Sequence, residues 1–180
     1  AKDKLINCLK QEIEIEQKEY TSVSSDDKKA YLIKTGFEFI ESATSARTEL
    51  KKRTDSFEVS ICFHAKSPIP EEDRNNNENY TNIIDFQILI SKIGQRSGFL
   101  VDAIVSNSQL KIISVHVSNN LDEYHNKYLT SRIDPDIYQG PDFTKLDETL
   151  QHSFIDFINE LGINEECASF IEISSIDKDQ

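Results

Sequence analysis

The feature that most constrains the fold is a run of strand-like segments between residues 36 and 117 with no helical segment among them. The clearest is residues 57–63, where Phe, Val, Ile and Phe alternate with Glu, Ser and Cys. This period of two is typical of a half-buried strand. Strands that follow one another without crossover helices pair with their neighbours in opposite directions, so the run predicts an antiparallel meander.

Six strands are predicted in this run, with a weak seventh between residues 128 and 138. The polar segment Arg47–Arg53 is expected to be exposed, at an edge of the sheet. Residues 67–82 hold two prolines, several acids and many asparagines, and are predicted to form a mobile acidic and Asn-rich loop. The predicted strands cover residues 36–41, 47–53, 57–63, 83–93, 99–105 and 110–117.

Helical patterns flank the strands. Apolar residues near helical spacing predict a first helix over residues 5–20, followed by a polar connector at 21–29. A second helix is expected to begin with Thr144 as its cap and to end at Gly162, and Asn164 can cap a third. The prediction is therefore one α+β domain over residues 1–180.

The net charge of −12 is concentrated in the C-terminal third. From Leu121 onward there are four basic and fourteen acidic residues. Such a surface repels nucleic acid and attracts basic proteins, although an acidic face can also serve only for solubility. Basic proteins are therefore the predicted partners, without direct binding of nucleic acid. The predicted partner-binding residues are Asp142, Asp147, Glu148 and Asp156.

The sequence contains none of the usual residue patterns for catalysis or cofactor binding. Cys8, Cys62 and Cys167 are far apart, and the four histidines lack spaced partners, so no catalytic, cofactor-binding or metal site is predicted and the chain is interpreted as a non-enzyme. Asp85 and the pair Asp134 and Asp136 offer at most a weak cation site. No apolar run is long enough for a membrane span.

Residues 138–151, with the sequence YQGPDFTKLDETLQ, resemble the signature of the mitochondrial acidic matrix protein family, also called the mitochondrial glycoprotein family, whose members include a complement component-binding protein. Residues 154–164 and the strand at 57–63 are similar to other parts of that family. The resemblance implies a twisted seven-stranded sheet flanked by terminal helices, assembled into a ring-shaped homotrimer. It also implies an acidic, non-enzymatic protein of the mitochondrial matrix.

The family's ties to mitochondrial translation and respiratory function lead to the main hypothesis, an oligomeric scaffold or chaperone-like adaptor for basic proteins. Two alternatives remain open at this point: an accessory factor for RNA processing in a ribonucleoprotein, and an unrecognised hydrolase. Family members end in a further amphipathic helix, and this helix is expected to be absent from residues 1–180.

Overall fold

Six consecutive strands form one antiparallel sheet in the computed structural model, which describes residues 5–7, 9–11, 25–42, 47–64, 83–130 and 140–177. Every strand pairs with the next one along the chain, so the predicted meander is confirmed. The strands are β1 (Glu38–Glu41), β2 (Arg47–Arg53), β3 (Phe57–His64), β4 (Ile84–Lys92), β5 (Gly98–Ser106) and β6 (Gln109–Ser118).

Helices precede and follow the sheet, which makes the fold α+β as predicted. Residues 5–7 and 9–11 are helical, within the predicted first helix, and all six are exposed. The remaining helices are α1 (Ser25–Thr35), α2 (Leu121–Thr130), a 3₁₀ helix (Phe143–Lys145), α3 (Glu148–Glu160) and α4 (Glu165–Asp177).

The main core lies between one face of the sheet and the helices α1, α3 and α4. Alternate residues of β3, such as Val59, Ile61 and Phe63, are buried there. Phe57 meets Phe157 of α3 edge to face with ring centroids 5.3 Å apart. The apolar face of β3 therefore packs against α3.

The opposite face of the sheet is polar, and α2 covers part of it. Strand register places five side chains of this face in one row across β2 to β6. Leu89, Leu100 and Leu121 form a small apolar cluster beside the row. The row consists of Glu49, Cys62, Gln87, Asp102 and Ser114.

Residues with positive φ form the tight turns. Asn107 and Ser108 have φ of 52° and 61°, as a two-residue hairpin between β5 and β6 requires. Gly162 ends α3 with φ of 91°, as predicted. Gly140 also has positive φ, and a Cβ there would lie 2.7 Å from the Cβ of His116, so only glycine lets the chain pass β6 this closely.

Three predictions about individual elements were wrong. Residues 25–29 belong to α1 rather than to a connector, because Asp26 and Asp27 suit the positive end of a helix. Strand β2 is internal, since β1 pairs with its outer side, and its residues 48–50 are buried. The cap of α3 is Asp147, whereas Thr144 lies in the preceding 3₁₀ helix.

Other predictions fall wholly or partly outside the described residues. The proposed seventh strand began at residue 128, but residues 128–130 are the end of α2, and residues 131–139 are not described. The loop at 67–82 also lies outside the described residues, as do Asp134 and Asp136.

Candidate functional site

The four predicted partner-binding acids lie at or near α3, and all are exposed. Asp142 and Asp147 precede helices, whereas Glu148 and Asp156 lie within α3. Glu148 and Asp156 are eight positions apart, which corresponds to about 12 Å along a helix axis. The structure therefore places these acids along one helix and its approach, and not in a pocket.

Two of the four acids also stabilise local structure. The Asp142 carboxylate accepts hydrogen bonds from the Thr144 amide at 3.0 Å and its hydroxyl at 2.8 Å, and these bonds hold the pKa of Asp142 below its ordinary value. Asp147 accepts bonds from the Thr149 and Leu150 amides at 3.0 and 3.2 Å. Substitutions at these positions must preserve a cap if charge alone is to be tested.

Helices α3 and α4 together contain seven acidic residues and no lysine or arginine. Two of the acids have internal partners: Glu166 pairs with Lys34 of α1 at 2.9 Å, and Glu172 accepts a bond from the Ser108 amide at 2.8 Å. We call the exposed acids of α3 and its approach the acidic helix surface. It comprises Asp142, Asp147, Glu148, Asp156 and Glu160.

A second cluster, which was not predicted, lies on the polar face of the sheet. The carboxylate of Glu49, the thiol of Cys62 and the imidazole of His125 come from β2, β3 and α2, and one possible ligand atom of each lies within 4.8 Å of the others. His125 Nε2 is 2.7 Å from Glu49 Oε1. We call these three residues the Glu–Cys–His cluster.

Hydrogen bonds and charges control the ionisation of Glu49, which is only 8% exposed. Burial alone would raise its pKa, but hydrogen bonds from His125 and Ser60, with the charges of His125 and Lys51, lower it overall. Lys51 Nζ lies 3.5 Å from Glu49 Oε1. Glu49 is therefore a carboxylate at neutral pH and holds α2 to the sheet through His125.

Burial has the opposite consequence for Cys62, which is 1% exposed. It raises the pKa of the thiol to about 12, so the sulfur is protonated at neutral pH and is a poor nucleophile. The Ser60 hydroxyl lies 3.6 Å from the sulfur and also donates to Glu49. Covalent catalysis requires a nucleophile that is activated by an adjacent general base or by a lowered pKa, and the Cys62 thiol is not activated in this arrangement.

A solvent-open depression of about 590 Å³ adjoins the cluster. Its lining includes Glu49, Ser60 and His125, together with the charged residues Lys51 and Asp122. The remaining side chains of the polar row hydrogen-bond to one another. Gln87 and Ser114 both donate to Asp102, at 2.9 and 2.8 Å. The depression thus adjoins the β2, β3 and α2 end of the row.

The sequence could predict only part of this cluster, the pairing of Glu49 with Cys62, and not the position of His125. The pairing register of β2 and β3 is set by which side chains of each strand face the core. This register places Glu49 opposite Cys62. His125 is 63 residues from Cys62 along the chain and reaches it only because α2 folds back over the sheet. His64 of β3 and His116 of β6 are not part of the cluster.

Comparison with known proteins identifies relatives along nearly the whole chain. The family model described as mitochondrial glycoprotein matches residues 9–180. A solved structure of a Leishmania major protein, described as of unknown function and as a sequence homologue of the human p32 protein, superposes with a TM-score of 0.62. It is 11% identical over 84% of this chain and 86% of its own.

The crystal structure of the Trypanosoma brucei p22 protein is also similar, with a TM-score of 0.59 and 16% identity over 80% of this chain and 74% of that one. At these identities the likeness establishes the fold. Among the described residues, no helix is both long and apolar enough to cross a bilayer.

Proposed function

Because the chain belongs to the mitochondrial glycoprotein family, we propose that it is a non-enzymatic, acidic scaffold or chaperone-like adaptor that binds basic proteins in the mitochondrial matrix. Family membership supports a protein-binding role in mitochondria. In this proposal the protein supports mitochondrial translation and respiratory function, as the resemblance of its sequence implies. The acidic helix surface is the part of the molecule that contacts the partner.

The observation that carries the proposal is the charge of α3 and α4, which have seven acids and no lysine or arginine. Asp147 and Glu148 are adjacent, and Asp156 and Glu160 are one helical turn apart. Residues four apart on a helix have Cβ atoms about 5–6 Å from each other, within the screening length of about 8 Å in physiological salt, so the charges of Asp156 and Glu160 act together on a partner. A basic protein gains most from such local pairs, because charges farther apart are screened from one another.

A ring-shaped homotrimer with a seventh strand in each subunit is also part of the proposal. The low hydrophobic content of 37% supports association, because a chain with few apolar residues gains stability by burying more of them between subunits. Three chains would carry a charge of about −36 and present three copies of the acidic helix surface. Multiple copies would strengthen binding to an extended basic partner by avidity.

The test is to neutralise Asp147, Glu148 and Asp156 together, as Asp147→Asn, Glu148→Gln and Asp156→Asn. Asparagine caps helices about as well as aspartate, so α3 should remain intact. Surface plasmon resonance against poly-L-lysine and against a basic matrix protein, at low and high salt, should show association slowed by about tenfold at low salt and little change in dissociation.

A matched control carries Glu38→Gln, Glu41→Gln and Asp55→Asn, which removes three exposed acids that are not part of the acidic helix surface. This control should bind nearly as the wild type does. Equal losses in both variants would mean that net charge, and not the acidic helix surface, governs binding. Salt-insensitive binding, or tight binding of the isolated protein to bare RNA, would contradict the proposal and favour the RNA-processing alternative.

A further inference from the structure

The Glu–Cys–His cluster brings together three side chains that metal proteins use as ligands. Glu49 and Cys62 are direct partners in the β2–β3 register, and α2 places His125 over both. The cluster is enclosed, since the side chains of His125 and Glu49 are only 22% and 10% exposed. Buried ligands on three separate elements differ from the scattered surface acids that bind cations weakly.

The donor types select the ion. A thiolate and an imidazole favour zinc and similar transition metals over Mg²⁺ and Ca²⁺, which prefer all-oxygen sites. Zinc takes Cys, His and carboxylate ligands in tetrahedral geometry, with donor atoms about 3.3–3.6 Å apart. The present separations extend from 2.7 Å to less than 4.8 Å, so adjustments of about 1 Å would bring the three donors around one ion.

Neighbouring groups already orient two of the ligands. The Ser60 hydroxyl donates to Glu49 and lies 3.6 Å from the Cys62 sulfur, while Lys51 Nζ is 3.5 Å from the Glu49 carboxylate. Such outer contacts hold ligands in place and tune metal affinity. The adjoining depression is open to solvent, which leaves room for water as a fourth ligand.

We propose that Glu49, Cys62 and His125 form a zinc-binding site that fastens α2 to the polar face of the sheet. The ion replaces the hydrogen bond between His125 and Glu49 and releases the thiol proton of Cys62 to solvent. The site lies on β2, β3 and α2, away from α3, and is independent of the proposed binding of basic proteins.

The first experiment uses the full chain, purified with a chelator and kept reduced. Isothermal titration with ZnCl₂ should show one site per chain, and zinc should raise the thermal unfolding midpoint because it binds the folded state. Co²⁺ should give the visible bands of a tetrahedral complex and a thiolate-to-cobalt charge-transfer band. Failure of the wild-type chain to bind either ion would overturn the proposal.

Substitutions then assign the ligands. Cys62→Ala and His125→Gln should each weaken zinc binding by roughly 100-fold or more, since even the loss of an outer contact commonly costs about 10–100-fold. Ser60→Ala, which removes such a contact, should cost about tenfold. Unchanged affinity in both ligand variants would overturn the assignment.

Matched controls separate ligation from folding. Cys167→Ala removes the other described buried thiol, in α4, and His116→Gln alters a histidine on the same sheet face; both should retain zinc binding. A chain with Cys8→Ala and Cys167→Ala leaves Cys62 as the only thiol. A charge-transfer band in that chain would assign the sulfur ligand to Cys62, and its absence from a cobalt-loaded chain would overturn the role of Cys62.

Discussion

At the scale of single residues, Tyr31 and Cys167 place two ionisable groups in the contact between α1 and α4. Both are buried, and the Tyr31 ring stacks on Phe170 with centroids 4.4 Å apart. Burial raises the pKa of the Cys167 thiol to about 11. Burial, and then the neighbouring Cys167, raise the pKa of Tyr31 above its ordinary value. Both groups therefore remain protonated in the folded protein at pH values where the unfolded chain ionises.

These raised pKa values predict a loss of stability at alkaline pH. The unfolded chain releases both protons above its ordinary pKa values of about 9 and 10 while the folded chain retains them, so the free energy of unfolding falls as pH rises. For Cys167, a pKa raised from 9.0 to about 11 corresponds to at most about 3 kcal/mol. Chemical denaturation at about pH 8 and about pH 10.5 measures the loss.

Two variants test the cause of the alkaline loss. Cys167→Ala removes the thiol, and Tyr31→Phe removes the phenol while keeping a ring against Phe170. Each should show a smaller drop in stability between the two pH values than the wild type does. An unchanged drop in both variants would mean that other groups, such as the lysines, control alkaline unfolding.

At the scale of elements, α3 attaches to the sheet through aromatic contacts. Phe154 lies 5.6 Å from Phe99 and 6.0 Å from Phe143 between ring centroids, and Phe157 lies 5.3 Å from Phe57. The edge-to-face pairs with Phe99 and Phe57 add to the stability gained from buried apolar area. The same helix presents its acids to solvent, so its docking determines where the acidic helix surface lies.

Phe154→Ala should lower the free energy of unfolding by about 2–4 kcal/mol. This is near the low end of the cost of replacing a core phenylalanine by alanine, because the side chain of Phe154 is only half-buried. Leu150→Ala, on the same helix at a side chain that is 52% exposed, is the matched control and should cost under about 1 kcal/mol. Urea denaturation measures both. A cost below about 1 kcal/mol for Phe154→Ala would contradict the docking of α3 described here.

At the scale of the whole molecule, the proposed homotrimer predicts a mass of about three times 20.6 kDa in solution. The sheet edge at β1 and the apolar side chains left exposed, including Val117 on the core face of β6, are available for contact with other subunits. Multi-angle light scattering over a range of concentrations measures the assembly. A monomer at every concentration would contradict the trimer.

The amino-acid sequence by itself determined the strands, their order along the chain and the family, but it did not predict the helices α1 and α2. The alternation of apolar and polar residues along β3 to β6 is a local pattern in the sequence. Antiparallel pairing follows when no crossover helix lies between consecutive strands. The end of α3 at Gly162 and the cap at Asn164, which accepts a bond from the Cys167 amide at 3.1 Å, are also local. The family predicted from residues 138–151 is confirmed by a match over residues 9–180.

The tertiary structure alone decided which polar residues meet. Strand β2 resembles an exposed edge because Arg, Lys and Glu dominate it, yet Glu49 is buried beneath α2, where His125, Ser60 and Lys51 satisfy its charge. A buried charged residue is stable only if it is paired and hydrogen-bonded, and the partner His125 comes from a distant part of the chain. Local patterns carry no information on those partners, so the Glu–Cys–His cluster emerges only when β2, β3 and α2 are assembled.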